Sequence, residues 1–293
     1  MTSTLRIPNA IDMHCHYGPD TVGASPDATT GHGVTALQAA REAADSGHAA
    51  LVLKSHSFAS PALAAALTEA VDGLTVFGGI CTDMLSGGLN VAAVDAALSM
   101  GAKIVWLPTV HSHQDVSTTN RINFRGPGLR VADDEGAPLP VVREIFDLVR
   151  ERGAILATGH VSAAEHYAVV KEFAGKGNVV VTHAGEHLAG PHLTTEQVLE
   201  LADLGATIEL TALACDDVFG ITGTPPADMA RMIETVGPQR CVLSTDYGWS
   251  TEVKRPAAGL GEFLERLWEC GVSEADLTTM ASQNPARLLD VAV

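Results

Sequence analysis

Short runs of apolar and β-branched residues alternate along the chain with amphipathic stretches rich in alanine and leucine. This alternation is typical of β–α units around a parallel sheet, whose strands are buried on both faces. Eight runs stand out: AIDMHCH (10–16), AALVLKSH (49–56), LTVFGGI (74–80), AKIVWLPTV (102–110), AILATGH (154–160), NVVVTHA (178–184), ATIELTA (206–212) and RCVLSTD (240–246). Eight parallel strands predict an α/β fold, a closed (β/α)8 TIM barrel.

The stretches between the runs predict the helices and one long loop. VTALQAAREAADSG (34–47) and LPVVREIFDLVRERG (139–153) have helical periodicity, and each ends at a glycine suited to stop a helix. A barrel takes about 250 residues, so we expect 1–293 to form a single domain. The irregular segment 111–138 follows the fourth run, and loops of that length are usually functional. We interpret it as a substrate loop.

Composition narrows the class of partner. The chain has 18 Lys and Arg against 35 Asp and Glu, a formal charge of −17, which argues against nucleic acid and anionic membranes. No apolar run approaches the roughly 20 residues of a spanning helix, and the start lacks a secretory h-region, so we expect a cytoplasmic protein. The five cysteines show no disulfide-like spacing. A small-molecule substrate is the expected partner, with a homo-oligomer left open.

Histidines gather at the ends of the predicted strands. Those at or just beyond a C-terminal strand end are His14, His16, His56, His111, His160 and His183. That rim carries the chemistry in (β/α)8 enzymes. Because side chains alternate along a strand, His14 and His16 should point the same way, roughly 6–7 Å apart, and converge on one cation. The pair therefore predicts a metal chelate.

The array extends to other strands. His160 closes the fifth, His183 the sixth and Asp246 the eighth, a ligand mix that Zn²⁺-like ions favour. This order resembles the amidohydrolase superfamily, whose members are (β/α)8 metal-dependent hydrolases. The resemblance implies that His14 and His16 bind the more buried metal and that His160 and His183 serve a second metal or the substrate. It also implies that Asp246 binds metal and transfers protons, and we take Asp246 and His183 as catalytic candidates.

The match departs from that superfamily at one lysine. Dinuclear members carry a carboxylated lysine on strand four, whereas here Lys103 lies at the start of that strand. Lys54 instead ends strand two, where three interpretations stay open: a carboxylated metal bridge, a cationic anchor for a substrate carboxylate, or an ion pair at the rim. We therefore expect one or two ions, Zn²⁺ or another divalent metal such as Mn²⁺.

The predicted activity is hydrolysis of a small amide, cyclic amide or lactone by a metal-activated water. We expect substrate contacts from His56, His111, His113 and Arg125, whereas Glu186 is expected to be solvated. One alternative is a mononuclear zinc-dependent decarboxylase resembling aminocarboxymuconate semialdehyde decarboxylase, since the strand-four lysine is missing. The other is a non-catalytic metal-binding or ligand-binding barrel. Asp246 separates it from an enzyme, because a binder needs no proton shuttle.

Overall fold

The sheet is parallel and follows the order of the sequence. A computed structural model describes residues 5–20 and 33–293. Its strands are β1 (Ile11–His16), β2 (Ala50–Lys54), β3 (Thr75–Cys81), β4 (Ile104–Trp106), β5 (Ile155–Ala157), β6 (Asn178–Val181), β7 (Thr207–Thr211) and β8 (Cys241–Ser244). Each strand pairs with the next. Beyond β8, the Asp246 N–H donates to the His14 carbonyl at 2.9 Å and closes the barrel. The predicted eight-stranded barrel is confirmed.

Helices follow the strands in the pattern that the sequence predicts. They are α1 (Ala36–Asp45), α2 (Pro61–Ala70), α3 (Val91–Ser99), α4 (His113–Thr118), α5 (Pro140–Glu151), α6 (Ala163–Phe173), α7 (Thr195–Asp203), α8 (Pro226–Val236), α9 (Pro256–Glu269), α10 (Glu274–Thr278) and α11 (Asn284–Leu289). Short 3₁₀ turns occupy Met84–Ser86, Leu213–Cys215 and Pro238–Arg240, and a π-helical turn, Thr279–Gln283, joins α10 to α11. Within the described ranges, no helix is long and apolar enough to cross a membrane.

Helices α1 and α5, both predicted from the sequence, show how local residues determine where a helix begins, packs and ends. Before α1, the Thr35 hydroxyl caps the Gln38 N–H, and the Gln38 side chain returns the bond to the Thr35 backbone. In α5, the apolar residues repeat every three or four positions and are buried. The predicted stop at Gly153 is a backbone position with φ of +59°, which glycine adopts readily.

A register shift in β1 turns the two histidines of this strand inward. Ile11 and Met13 pack in the cluster inside the barrel, whereas Cys15 packs in an outer cluster. The pairing with β2 shifts between Asp12 and Cys15, and such a bulge changes which residues face one side. The buried Asp12 carboxylate holds the bulge, because its Oδ1 accepts from the N–H groups of His14 and Thr245, both at 3.0 Å.

The segment 111–138 is more regular than a loop. It begins with α4, and isolated bridges pair Ser112 with Leu129 and Ala132 with Pro138. The Ser112 hydroxyl caps α4 by accepting from the Asp115 N–H at 3.0 Å. The same hydroxyl donates to the His160 carbonyl at 2.8 Å. The expectation of an irregular segment is therefore wrong for its first part, which is helical and tied to the end of β5.

Candidate metal centre

A cavity of about 500 Å³ lies at the C-terminal ends of the strands. Its floor is polar and includes His16, Lys54, His56, His160 and Asp246, and its upper wall includes apolar side chains from the loops after β4, β6, β7 and β8. The cavity has the size and the mixed lining of a small-molecule site. Three of the six strand-end histidines, His16, His56 and His160, therefore line one pocket together with Lys54 and Asp246.

Three predicted ligands meet at the floor. Oδ1 of Asp246 lies 3.0 Å from Nε2 of His14 and 3.0 Å from Nε2 of His16. Burial lowers the pKa of His16 to about 3, so this imidazole is neutral. Burial also opposes protonation of His14, but the negative charges of Asp246 and Glu209 outweigh it and raise the pKa of His14 to about 9.

This group of three fits a divalent cation. Burial alone favours neutral Asp246, yet the charges and hydrogen bonds of His14 and His16 hold the pKa of this carboxyl well below its usual range. An ionised carboxylate and two imidazole nitrogens, all within 4.8 Å of one another, form a donor set that Zn²⁺ accepts. The chemistry of the donors therefore supports the predicted metal chelate.

His160 and His183 complete a ring of imidazoles around the floor. The centroids of these two rings lie 4.6 Å apart, and the His183 ring lies 6.0 Å from that of His14. Nε2 of His183 is buried and has no hydrogen-bond partner among the described residues. Burial holds the pKa of His183 well below its usual value, so its imidazole is neutral. A bound metal ion would give Nε2 the partner that it lacks.

Two buried carboxylates orient these histidines. Oε2 of Glu209 accepts from the His14 ring at Nδ1 over 3.0 Å, and Oδ2 of Asp115 lies 2.6 Å from Nδ1 of His160. Each carboxylate fixes the imidazole so that Nε2 faces the cavity. Neither carboxylate was predicted from the sequence. A charged residue inside the apolar run of β7 was a usable signal for Glu209, because a buried carboxylate needs a partner.

Lys54 lies inside the centre. Its Nζ is 2.8 Å from Nε2 of His14, and the residue is 1% exposed. The same Nζ lies 5.6 Å from the ring centroid of Trp106, at the end of β4. Lys103 precedes β4 and lies over the Phe77 ring instead. Lys54 therefore reaches the centre from the end of β2.

The four predicted substrate contacts separate into two groups. His56 lines the cavity, and its ring stacks on that of His16 at 5.0 Å. His111 is buried below the loop, where its N–H donates to Asp83 at 3.0 Å. His113 and Arg125 line a separate, shallower pocket with Phe124. The structure therefore places His113 and Arg125 away from the polar floor, whereas the buried His111 lies beside Asp83, with Nδ1 3.5 Å from its Oδ1.

Two other side chains occupy the wall of the cavity. Arg121, four residues before Arg125, lines it. Glu186 was expected to be solvated, and that expectation is wrong, since the residue is 4% exposed. Its Oε1 accepts from the Leu188 N–H at 2.6 Å, while burial raises its pKa to about 7. Glu186 is buried because its loop, which follows β6, lines the cavity.

The backbone beneath Asp246 is unusual. Asp246 has a φ of +59° and His183 a φ of +32°, a region that residues other than glycine rarely adopt. The Trp249 indole N–H donates to the Asp246 carbonyl at 2.8 Å. This bond helps to hold the left-handed backbone. Such positions cluster at functional sites, where neighbouring contacts impose them.

Comparison with known proteins supports the fold. The solved structure of an amidohydrolase from Pseudomonas aeruginosa is 13% identical and aligns over 96% of this chain and 95% of its own, with a TM-score of 0.59. A probable 2-pyrone-4,6-dicarboxylic acid hydrolase from Acinetobacter baumannii is 12% identical, over 96% and 99%, at 0.60. A 2,6-dihydroxybenzoate decarboxylase from Rhizobium is 10% identical, over 97% and 99%, at 0.58. The fold that the amidohydrolase resemblance implied is confirmed.

Sequence comparison places the chain in a family. No protein of curated function matches it at a significant level. One family profile matches residues 9–209, about two thirds of the chain, and this span holds the histidines of the floor, Lys54 and Glu209. Asp246 lies beyond the matched span. The chain belongs to the family of unknown function DUF6282.

Proposed function

We propose that the protein is a metal-dependent hydrolase of the amidohydrolase type, acting on a small amide, cyclic amide or lactone. One observation carries the proposal: Asp246 Oδ1 lies 3.0 Å from Nε2 of both His14 and His16 at the floor of the cavity. A purely structural ion pair does not need two imidazoles on one carboxylate oxygen at the base of a 500 Å³ pocket. The barrel shared with hydrolases of related chemistry supports it as well.

His14, His16 and Asp246 would hold the first cation, and His160 and His183 would extend the centre. A bound divalent cation lowers the pKa of water to about 7 and polarises a carbonyl. Asp246 is ionised, so its carboxylate accepts the proton of the attacking water and passes it to the leaving nitrogen or oxygen. Glu209 and Asp115 hold the imidazoles of His14 and His160 in a fixed orientation. Arg121 and the apolar upper wall bind the rest of the substrate.

The second candidate is a mononuclear decarboxylase. It is favoured by one observation, that β4 ends in Trp106 and offers no lysine to bridge two ions. The barrel is also shared with a 2,6-dihydroxybenzoate decarboxylase. The two candidates need the same first cation but differ in product, because one releases CO₂ and the other adds the elements of water.

The test begins with metal analysis. The purified protein is stripped with chelator and reloaded with Zn²⁺ or Mn²⁺, and bound metal is measured by mass spectrometry. We expect His14→Ala and His16→Ala to lose the first equivalent, while His48→Ala, a buried histidine outside the cavity, keeps it. The loaded protein is then assayed on lactams, lactones and hydroxybenzoates, with acid release and CO₂ release followed separately. If His14→Ala and His16→Ala both kept the metal content of the wild type, the proposal would be refuted.

A further inference from the structure

Three histidines at the candidate metal centre share one feature, a hydrogen bond between Nδ1 and a buried carboxylate. The pairs are His14 with Glu209 at 3.0 Å, His160 with Asp115 at 2.6 Å and His56 with Asp83 at 2.9 Å. Metal-binding histidines almost always donate their second nitrogen to such a partner, which fixes the ring and its tautomer. The first two histidines are predicted ligands. His56 carries the same signature, yet it was assigned only to substrate contact.

Asp83 is built to hold His56 in one tautomer. This carboxylate is 0% exposed, and its Oδ1 accepts from the N–H groups of Thr109 at 2.9 Å and His111 at 3.0 Å. Its Oδ2 accepts from the Thr109 hydroxyl and from Nδ1 of His56. Four donors saturate Asp83, so it does not itself bind a cation. Since Nδ1 of His56 carries the proton, Nε2 keeps its lone pair and lies on the side of the ring opposite Asp83.

Cys81 does not turn this group into a separate metal cage. Cys81, His56 and Asp83 offer atoms within 4.8 Å of one another. Asp83 already accepts from four donors, and Nδ1 of His56 is bonded to it at 2.9 Å, so these atoms of the group are already occupied. What remains free for a ligand is Nε2, and His56 lines the cavity.

The spacing of the rings places His56 beside the predicted ligand His16. Two imidazoles on one tetrahedral Zn²⁺, with Zn–N of about 2.0–2.1 Å, have ring centroids roughly 5 Å apart. The His56 ring lies 5.0 Å from that of His16, which fits a shared ion, and 6.5 Å from that of His160. The other neighbours around the floor are spaced by 5.2, 6.0 and 4.6 Å. His56 closes a ring of five imidazoles.

We propose that His56, from the end of β2, is a metal ligand through Nε2, with Asp83 as its positioning residue. The inference rests on the proposed function and deepens it, because it adds a ligand from the end of β2 to the metal centre. With Lys54 two residues earlier and also lining the cavity, one strand end supplies two groups to the centre.

Zn²⁺ binding to the stripped full-length protein tests the assignment without any substrate. Competition with a chromophoric chelator gives stoichiometry and affinity for the wild type, His56→Ala and Asp83→Asn. In Asp83→Asn, the two backbone N–H groups that meet Oδ1 hold the amide oxygen there and turn its NH₂ toward His56. The ring must then accept at Nδ1 and carry its proton on Nε2, which blocks ligation.

We expect both variants to lose one Zn²⁺ equivalent or to weaken one by at least about tenfold, the usual effect of outer-shell changes. His48→Ala, also a buried histidine, should bind Zn²⁺ as the wild type does. Circular dichroism of each variant checks the fold, and Asp83→Asn keeps the test open if His56→Ala does not fold. Unchanged stoichiometry and affinity in the folded variants would overturn the assignment of His56 alone. A wild-type protein that binds no metal would overturn the proposed function as well.

Discussion

Glu209 offers the sharpest test of how the centre is held. Its Oε2 accepts two bonds, from Nδ1 of His14 at 3.0 Å and from the His183 N–H at 3.1 Å, and the residue is 3% exposed. In Glu209→Gln, the amide oxygen must occupy the Oε2 position, because both facing groups are donors. The substitution keeps the shape of the side chain and both hydrogen bonds, and it removes only the negative charge. The substitution therefore isolates the electrostatic part of the support that His14 receives.

The expected loss of metal affinity follows from the strength of the hydrogen bonds that Glu209 accepts. A hydrogen bond to a charged group contributes about 1.5–3 kcal/mol and a neutral one about 0.5–1.5 kcal/mol. The bond to His14 thus loses about 1–1.5 kcal/mol of support for the metal-bound imidazole, which weakens metal binding by about tenfold. Glu209→Ala is worse, because it leaves two buried donors without an acceptor, each costing about 1–3 kcal/mol. We expect that variant to lose stability as well as metal.

Zn²⁺ affinity by chelator competition and unfolding by urea measure the two effects separately. Glu172→Gln is the matched control, since Glu172 lies 40% exposed and pairs only weakly with Lys176 at 3.5 Å. It should change neither quantity. If Glu209→Gln bound Zn²⁺ within twofold of the wild type, the carboxylate would serve the fold alone and the orienting role would be refuted.

Four further outcomes are expected. Asp246→Asn should keep its circular dichroism and lower kcat by about 10²–10⁴-fold in steady-state assays, because the amide cannot accept a proton. Gly248→Ala should lower Tm, since a Cβ there meets the His16 carbonyl oxygen at 1.9 Å, whereas Gly261→Ala, with nothing within 4 Å, should not. Burial lowers the pKa of His48 to about 4, so its contribution to stability is present above pH 6.5 and is lost as pH falls toward 4. Between these pH values, the unfolding free energy should fall by up to about 1.4 kcal/mol per pH unit, and it should fall less steeply in His48→Gln. Lys54→Ala should lose one metal equivalent if Lys54 bridges, or weaken substrate binding at constant metal content if it anchors a carboxylate, as metal analysis and KM will distinguish.

The fold was predictable because buried parallel strands leave continuous apolar runs in the sequence. All eight runs correspond to strands, but some extend too far. The run 102–110 contains β4 only at Ile104–Trp106, because the following residues stay buried in the rim without continuing the sheet. Apolar residues in the sequence indicate burial, but they do not indicate where the pairing between strands ends.

The candidate site was predictable where a ligand lies near or just beyond the C-terminal end of its own strand. His14, His16 and Asp246 satisfy that condition and meet at the floor. Asp115 does not, because it reaches His160 from the inserted helix, 45 residues earlier in the chain. The inward turn of His14 depends on the β1 bulge, which the alternation of side chains in the sequence does not reveal. Contacts of long sequence separation and local register shifts account for the missed residues.

Charge around the floor links the state of Lys54 to the number of ions. Among the described residues, the buried carboxylates near these side chains include Asp83, Asp115, Glu209 and Asp246. The imidazoles must be neutral to bind metal. An ammonium at Lys54 contributes one positive charge and a carbamate contributes one negative charge, so the two states differ by two units of charge. One additional divalent cation offsets that difference. Buried charge is costly unless compensated, so a carboxylated Lys54 requires the second ion, and a one-metal protein requires the free ammonium.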